Sequence, residues 1–107
     1  MYPKGYIELV VEVRETGTFK RWMKALKDSN AQARILARIR RLSLGNVGDA
    51  KPVGEGVYEL RIDYGPGYRV YFTQVGIEIY ILLAGGDKST QSKDIASAKA
   101  IAKGLEA

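Results

Sequence analysis

From Tyr58 to Gln91 the chain reads YELRIDYGPGYRVYFTQVGIEIYILLAGGDKSTQ, and the period of this stretch decides the fold. Tyr58, Leu60 and Ile62 alternate with Glu59, Arg61 and Asp63, the spacing of a strand that buries one face. Tyr64-Gly65-Pro66-Gly67 then turns the chain. Beyond it Val70 and Phe72 are core candidates, while Arg69, Tyr71 and Thr73 are expected to face outward. Gly76 marks a tight hairpin, and Ile77, Ile79, Ile81 and Leu83 are expected to form the buried row of a third strand. Strands joined by short turns make an antiparallel meander.

Upstream, Asn46 to Glu55 reads as a polar, glycine-rich loop that carries Lys51 into the first of these strands. Before it, Phe19, Trp22, Met23 and Leu26 recur at i, i+3, i+4 and i+7, one stripe of a short helix. Asp28-Ser29-Asn30 interrupts, and Ser29 with Gln32 three residues later fits a capping box. A second helix is expected to bury Ala31, Ile35, Ile39 and Leu42 and to end at Gly45, a residue suited to the left-handed cap. Gly5 to Arg14 alternates as a half-buried strand, and Gln91 to Leu105 spaces Ile95, Ala98, Ile101 and Leu105 on one helical face. The expected architecture is α+β: an N-terminal strand, an α-hairpin, a three-stranded meander completing a four-stranded sheet, and a short C-terminal helix. The helix pair must cover one face of the sheet. The other face is then left carrying Arg61, Arg69 and Tyr71.

At 107 residues the chain has room for one domain, and the size scaling gives it burial of roughly 65% of its unfolded surface. It has no cysteine, which removes disulfides, zinc–thiolate sites and thiol catalysis. It has no histidine, which removes the commonest metal ligand and the usual acid/base group near neutral pH. No apolar run approaches the roughly 20 residues that span a bilayer, and residues 1–13 lack the pattern of a signal peptide. A cytoplasmic protein with no membrane partner is expected. The net charge is +5, and residues 14–51 hold ten Lys/Arg against three Asp/Glu, an asymmetry that favours polyanions.

Arg61 and Arg69 flank one turn on adjacent strands, Lys88 follows the third strand, and Lys51 precedes the first. Guanidinium forks match phosphate, and aromatic rings stack bases, so this set suits an RNA backbone. The competing reading is a solvated ladder in which Arg61 pairs with Glu59, Asp63 or Glu78. Arg34, Arg38 and Arg41 on the second helix, with Lys20, Arg21, Lys24 and Lys27 on the first, are either ribosomal RNA contacts or ordinary solvated faces.

Three blocks carry a resemblance: LxDxxAxxRI within Leu26 to Ile39, GN-GDxKxVGxGVxELRIDYGPGYRVYF from Gly45 to Phe72, and LLxGGDKSTQ from Leu82 to Gln91. Together they resemble the RelE/ParE toxin superfamily, and within it the HigB-like addiction-module killer proteins. The resemblance implies the toxin of a type II toxin–antitoxin pair, an mRNA interferase that cuts messages on the translating ribosome, arresting translation and growth. It implies an attack by the RNA's own 2′-hydroxyl, with no metal and no cofactor. Carried over residue by residue, it makes Arg61, Arg69 and Lys88 electrostatic catalytic groups. Lys51, Gln91, Arg38 and Arg41 are the residues expected to contact the RNA. Relatives use a C-terminal tyrosine or histidines for proton transfer, and this chain has neither in the matching region. Asp87, Tyr71 or a lysine of depressed pKa are the candidates for that role, and the sequence does not choose among them. The expected partners are mRNA, the ribosome and a cognate antitoxin, a small helix-turn-helix protein. A ParE-like gyrase poison and an inactive homologue that only binds its antitoxin are the alternatives.

Overall fold

A computed structural model describes residues 11–105. The elements run β1 (Glu12–Glu15), α1 (Gly17–Ala25), α2 (Ser29–Ser43), β2 (Ala50–Gly54), β3 (Val57–Ile62), β4 (Tyr68–Val75), β5 (Ile79–Asp87), a 3₁₀ turn (Lys88–Thr90) and α3 (Gln91–Leu105). The strands form one sheet in the order β1-β5-β4-β3-β2, with β1 parallel to β5 and the other pairs antiparallel. Of the strand expected over Gly5 to Arg14, residues 5–10 lie outside the described residues. Among the described residues no helix is long and apolar enough to cross a membrane.

The helix pair follows its apolar stripe. Thr16 caps α1 by accepting from the Phe19 amide at 3.1 Å, and its hydroxyl donates to the Leu83 carbonyl at 2.7 Å, which pins the helix start to β5. Phe19, Ile35 and Leu42 are sealed in a core with Leu60, Ile62, Val70, Phe72, Tyr80 and Leu82, and Trp22, Met23 and Leu26 pack against it. The expected Ser29 capping box is not formed. Asp28 is the N-cap, its Oδ1 accepting from Asn30 and Ala31, because a carboxylate one residue earlier suits the positive end of the helix better. Gln32 instead reaches back to the Met23 and Leu26 carbonyls and satisfies the end of α1. At the far end Asn46 donates to Arg41 and Gly45 to Leu42, with Gly45 at φ +83°, a Schellman close at the expected residue.

Among the described residues the sheet has five strands rather than four, because part of the expected loop is the edge strand β2. Pro52 and a register shift between Pro52 and Gly54 hide it from strand periodicity, and both are tolerated at an edge. The opposite face of the sheet is not open. Helix α3 covers it, and Val57, Tyr71, Leu83, Ala84 and Ala98 form a second core there. Tyr71, expected to face outward, is therefore fully buried. In β5 the row expected to be buried begins with Ile77, which sits 80% exposed outside the strand in the β4–β5 connection. The deepest residues on the α1/α2 side are Tyr80 and Leu82, while Leu83 and Ala84 line the α3 side. A central strand covered on both faces is apolar in both rows, and an irregularity between the Tyr71–Ala84 and Phe72–Leu82 pairs shifts the phase.

Gly85 and Gly86 allow this two-sided covering. A Cβ on Gly85 would overlap the Trp22 ring, and one on Gly86 would overlap the Asp94 carboxylate of α3. One glycine admits a helix on each face.

Candidate functional site

The β3–β4 turn, the start of the 3₁₀ turn and the loop before β2 enclose a cleft of about 460 Å³ lined by Asp49, Arg61, Asp63, Gly65, Pro66, Gly67, Arg69 and Lys88. Two features of the local sequence make it. Gly67 donates to Tyr64 at 3.1 Å and closes the turn, with Gly65 and Gly67 at positive φ. A side chain on Gly67 would begin 3.5 Å from Lys88 Cβ and 3.7 Å from Arg69 Nη1, so these two cations flank the same glycine.

Arg61 and Arg69 are direct cross-strand partners, a like-charge pair that destabilises a ladder unless it is neutralised. Each has its own carboxylate. Asp49 Oδ1 accepts from Arg61 Nε at 3.2 Å and Nη2 at 3.0 Å; both residues are exposed, so the bridge contributes at most about 1 kcal/mol. Asp49 thus takes the place of Glu59, Asp63 and Glu78, the partners expected for Arg61. Arg69 is nearly enclosed, and its Nε lies 3.6 Å from Oε1 of the fully buried Glu59. Lys88 is exposed and makes no salt bridge among the described residues.

The other expected site residues are placed differently. Asp87 caps the 3₁₀ turn, accepting from the Ser89 amide at 2.8 Å and from the Ser89 hydroxyl. That hydroxyl is the main cause that holds the Asp87 carboxyl below its usual range. Tyr71 donates to Glu59 Oε2 at 3.1 Å, and burial, reinforced by the Glu59 charge, pushes its phenol well up. Gln91 donates to the same oxygen at 2.7 Å. None of these three lines the cleft.

Arg38 donates to the carbonyls of Arg61, Val47 and Asp49, so it braces the cleft's floor from α2. Its Nη2 occupies the space a Gly48 side chain would need. Arg41 lines a smaller adjoining cleft with Arg34, Arg38 and Asp63; Asp63 borders both. Lys51 is exposed on β2, in register with Glu59, and does not line the main cleft.

Sequence reasoning missed the roles of Asp49 and Glu59. Asp49 precedes an unrecognised strand. Glu59 carried a usable signal, since it shares a face with Tyr71, and a Glu and a Tyr opposite each other on a covered face would pair.

Comparison with known proteins bears on the family and the fold. Over residues 21–106 the chain matches the family model described as Phage derived protein Gp49-like (DUF891). It is 50% identical over 97 residues to an uncharacterized protein of Haemophilus influenzae, a match covering 91% of this chain and 98% of that protein. Among solved structures it is similar to a chain of the toxin–antitoxin complex RelBE2 from Mycobacterium tuberculosis, with a TM-score of 0.60 at 20% identity over 74% of this chain and 99% of that one. It is also similar to a mutant of the E. coli toxin RelE in the free state, with a TM-score of 0.62 at 12% identity over 81% of this chain and 96% of that one. The α+β fold is thus the RelE fold, and the chain belongs to the family of phage derived, Gp49-like proteins.

Proposed function

We propose that this protein is the toxin of a type II toxin–antitoxin pair, of the HigB-like kind, and that it cuts mRNA on the translating ribosome. The observation that carries this reading is the convergence of Arg61, Arg69 and Lys88 on one cleft, with Lys88 free of any carboxylate among the described residues. The RelE fold supports it, as does the similarity to a chain solved in a toxin–antitoxin complex. An antitoxin, a small helix-turn-helix protein, is the expected protein partner, and co-expression should yield a complex that relieves growth arrest.

In the reaction the 2′-hydroxyl loses its proton and its oxygen bonds to the adjacent phosphorus. The bond from phosphorus to the 5′-oxygen breaks, and that oxygen takes up a proton. A 2′,3′-cyclic phosphate and a 5′-hydroxyl end result. The three cations stabilise the added negative charge of the pentacoordinate state, and each is worth about 100- to 1000-fold in rate by analogy with oxyanion donors. Asp87 and Tyr71 act structurally, since one carboxylate is held by Ser89 and the other group is sealed beneath α3. Arg34 and Arg41 beside the adjoining cleft, and Lys51 on the edge strand, continue the path for the RNA backbone.

The test is a short induction in growing cells with RNA 5′ ends mapped, for the wild type and for a variant with Arg61, Arg69 and Lys88 all changed to Ala. New ends in translated messages, absent with the variant, are expected. DNA breaks with intact mRNA would point to gyrase as the target, and equal toxicity of the two proteins would remove the cleft from the account.

A further inference from the structure

Glu59 is the only charged side chain in the buried core of the described residues, and the cleft chemistry gives it no part. It projects from β3 toward α3, between Tyr71 on β4 and Gln91 in the first turn of α3. Oε2 accepts from both the Tyr71 hydroxyl and the Gln91 amide. Oε1 is left facing Arg69 Nε at 3.6 Å. Two neutral donors satisfy one oxygen but leave a buried negative charge that requires a cation, and Arg69 is the cation there. The guanidinium is thereby used from two sides. Its Nε edge is buried against Glu59 as an ion pair without a hydrogen bond, while its Nη1 lies beside Gly67 at the cleft that Lys88 also lines.

We propose that Glu59 is a positioning residue for Arg69: the sealed carboxylate fixes the guanidinium plane so that an RNA phosphodiester meets a pre-oriented fork. Arginine's large rotamer entropy is then lost on folding rather than in reaching the transition state. Tyr71 and Gln91 hold the carboxylate toward Arg69, and because Gln91 opens α3, docking of that helix is coupled to the orientation of the fork. The catalytic consequence rests on the endonuclease reading; the orientation does not.

The test uses Glu59→Gln, with Tyr71→Phe as a control that removes a donor but keeps the charge. Two readouts are taken on the full chain. One is the exchange rate of the Arg69 Nε–H proton by NMR. The other is the maximal cleavage rate and half-saturating concentration in a cell-free translation reaction. E59Q should expose the Arg69 proton to fast exchange and lower the maximal rate about 100-fold, the effect of a misplacement of about 1 Å, with half-saturation unchanged. Y71F, which keeps the charge but loses one of the two donors that hold the carboxylate, should fall between the wild type and E59Q on both readouts. A slowly exchanging Arg69 proton in E59Q, or an undiminished maximal rate, overturns the proposal. If the wild type cuts nothing while E59Q frees the Arg69 proton, the endonuclease reading falls and the positioning stands. Should E59Q fail to fold, Glu59→Asp keeps the charge but withdraws it by one methylene, and the same readouts decide.

Discussion

Arg61 and Arg69 face each other across β3 and β4, but substituting them has different consequences. Removing Arg69 strands Glu59 in the interior, and breaking a buried pair from one side costs about 3–5 kcal/mol. Arg69→Ala is therefore expected to lower the urea midpoint strongly as well as to reduce activity. Lys88→Ala, on an exposed turn, should stay within about 0.5 kcal/mol of the wild type. Activity lost with a normal melt in K88A thus reports on the cleft alone. Tyr71 makes a pH prediction. Its phenol is raised in the folded state, so the unfolded chain ionises first. Its contribution is complete below the ordinary tyrosine value of about 10 and is lost as pH rises through the folded value. Urea midpoints measured from about pH 8 to 11 should fall more steeply for the wild type than for Tyr71→Phe; parallel curves would refute the assignment.

At the scale of elements, the Gly85-Gly86 pair decides whether helices can lie on both faces of β5. Gly86→Ala is expected to push Asp94 off the strand, at a cost of about 1–3 kcal/mol for overpacking, with faster hydrogen exchange in α3 than in α2. Uniform exchange across both helices would count against this. The pair also shows what the sequence made legible. Helices α1 and α2 each bury a single stripe, so the 3.6-residue period and the Gly45 stop were readable directly. Strand β5 is apolar on both faces, and period two loses its meaning there. Edge strand β2 was obscured by Pro52 and its irregular register, since an edge tolerates residues that a central strand forbids. Tyr71 was misplaced because the amphipathicity of α3 is weak: Ala98 is its one buried residue, with Ile95, Ile101 and Ala102 partly buried against the same core. Of the candidate site, the nearness of the three cations to one another was readable by alternation and turn position. Their carboxylates were not, because pairing depends on the register of neighbouring strands.

For the whole molecule, the two layers of helix leave the turn end of the sheet as the place where charged residues collect. There the β3–β4 turn, the exit of β5 and the approach to β2 meet, and the arginines of α2 adjoin it. Charge asymmetry in residues 14–51 gave only an affinity for polyanions; the fold sets the α2 arginines of that segment beside a cleft whose own cations, Arg61, Arg69 and Lys88, lie outside it. The most direct test is a cell-free translation reaction programmed with one message, with and without its ribosome-binding site, in which 5′ ends are mapped after adding wild-type or Lys88→Ala protein. Cuts confined to the translated message, and about 100-fold slower with K88A, are predicted. Equal cutting by the two proteins, or no cutting of the translated message, would contradict the assignment of this cleft to mRNA cleavage.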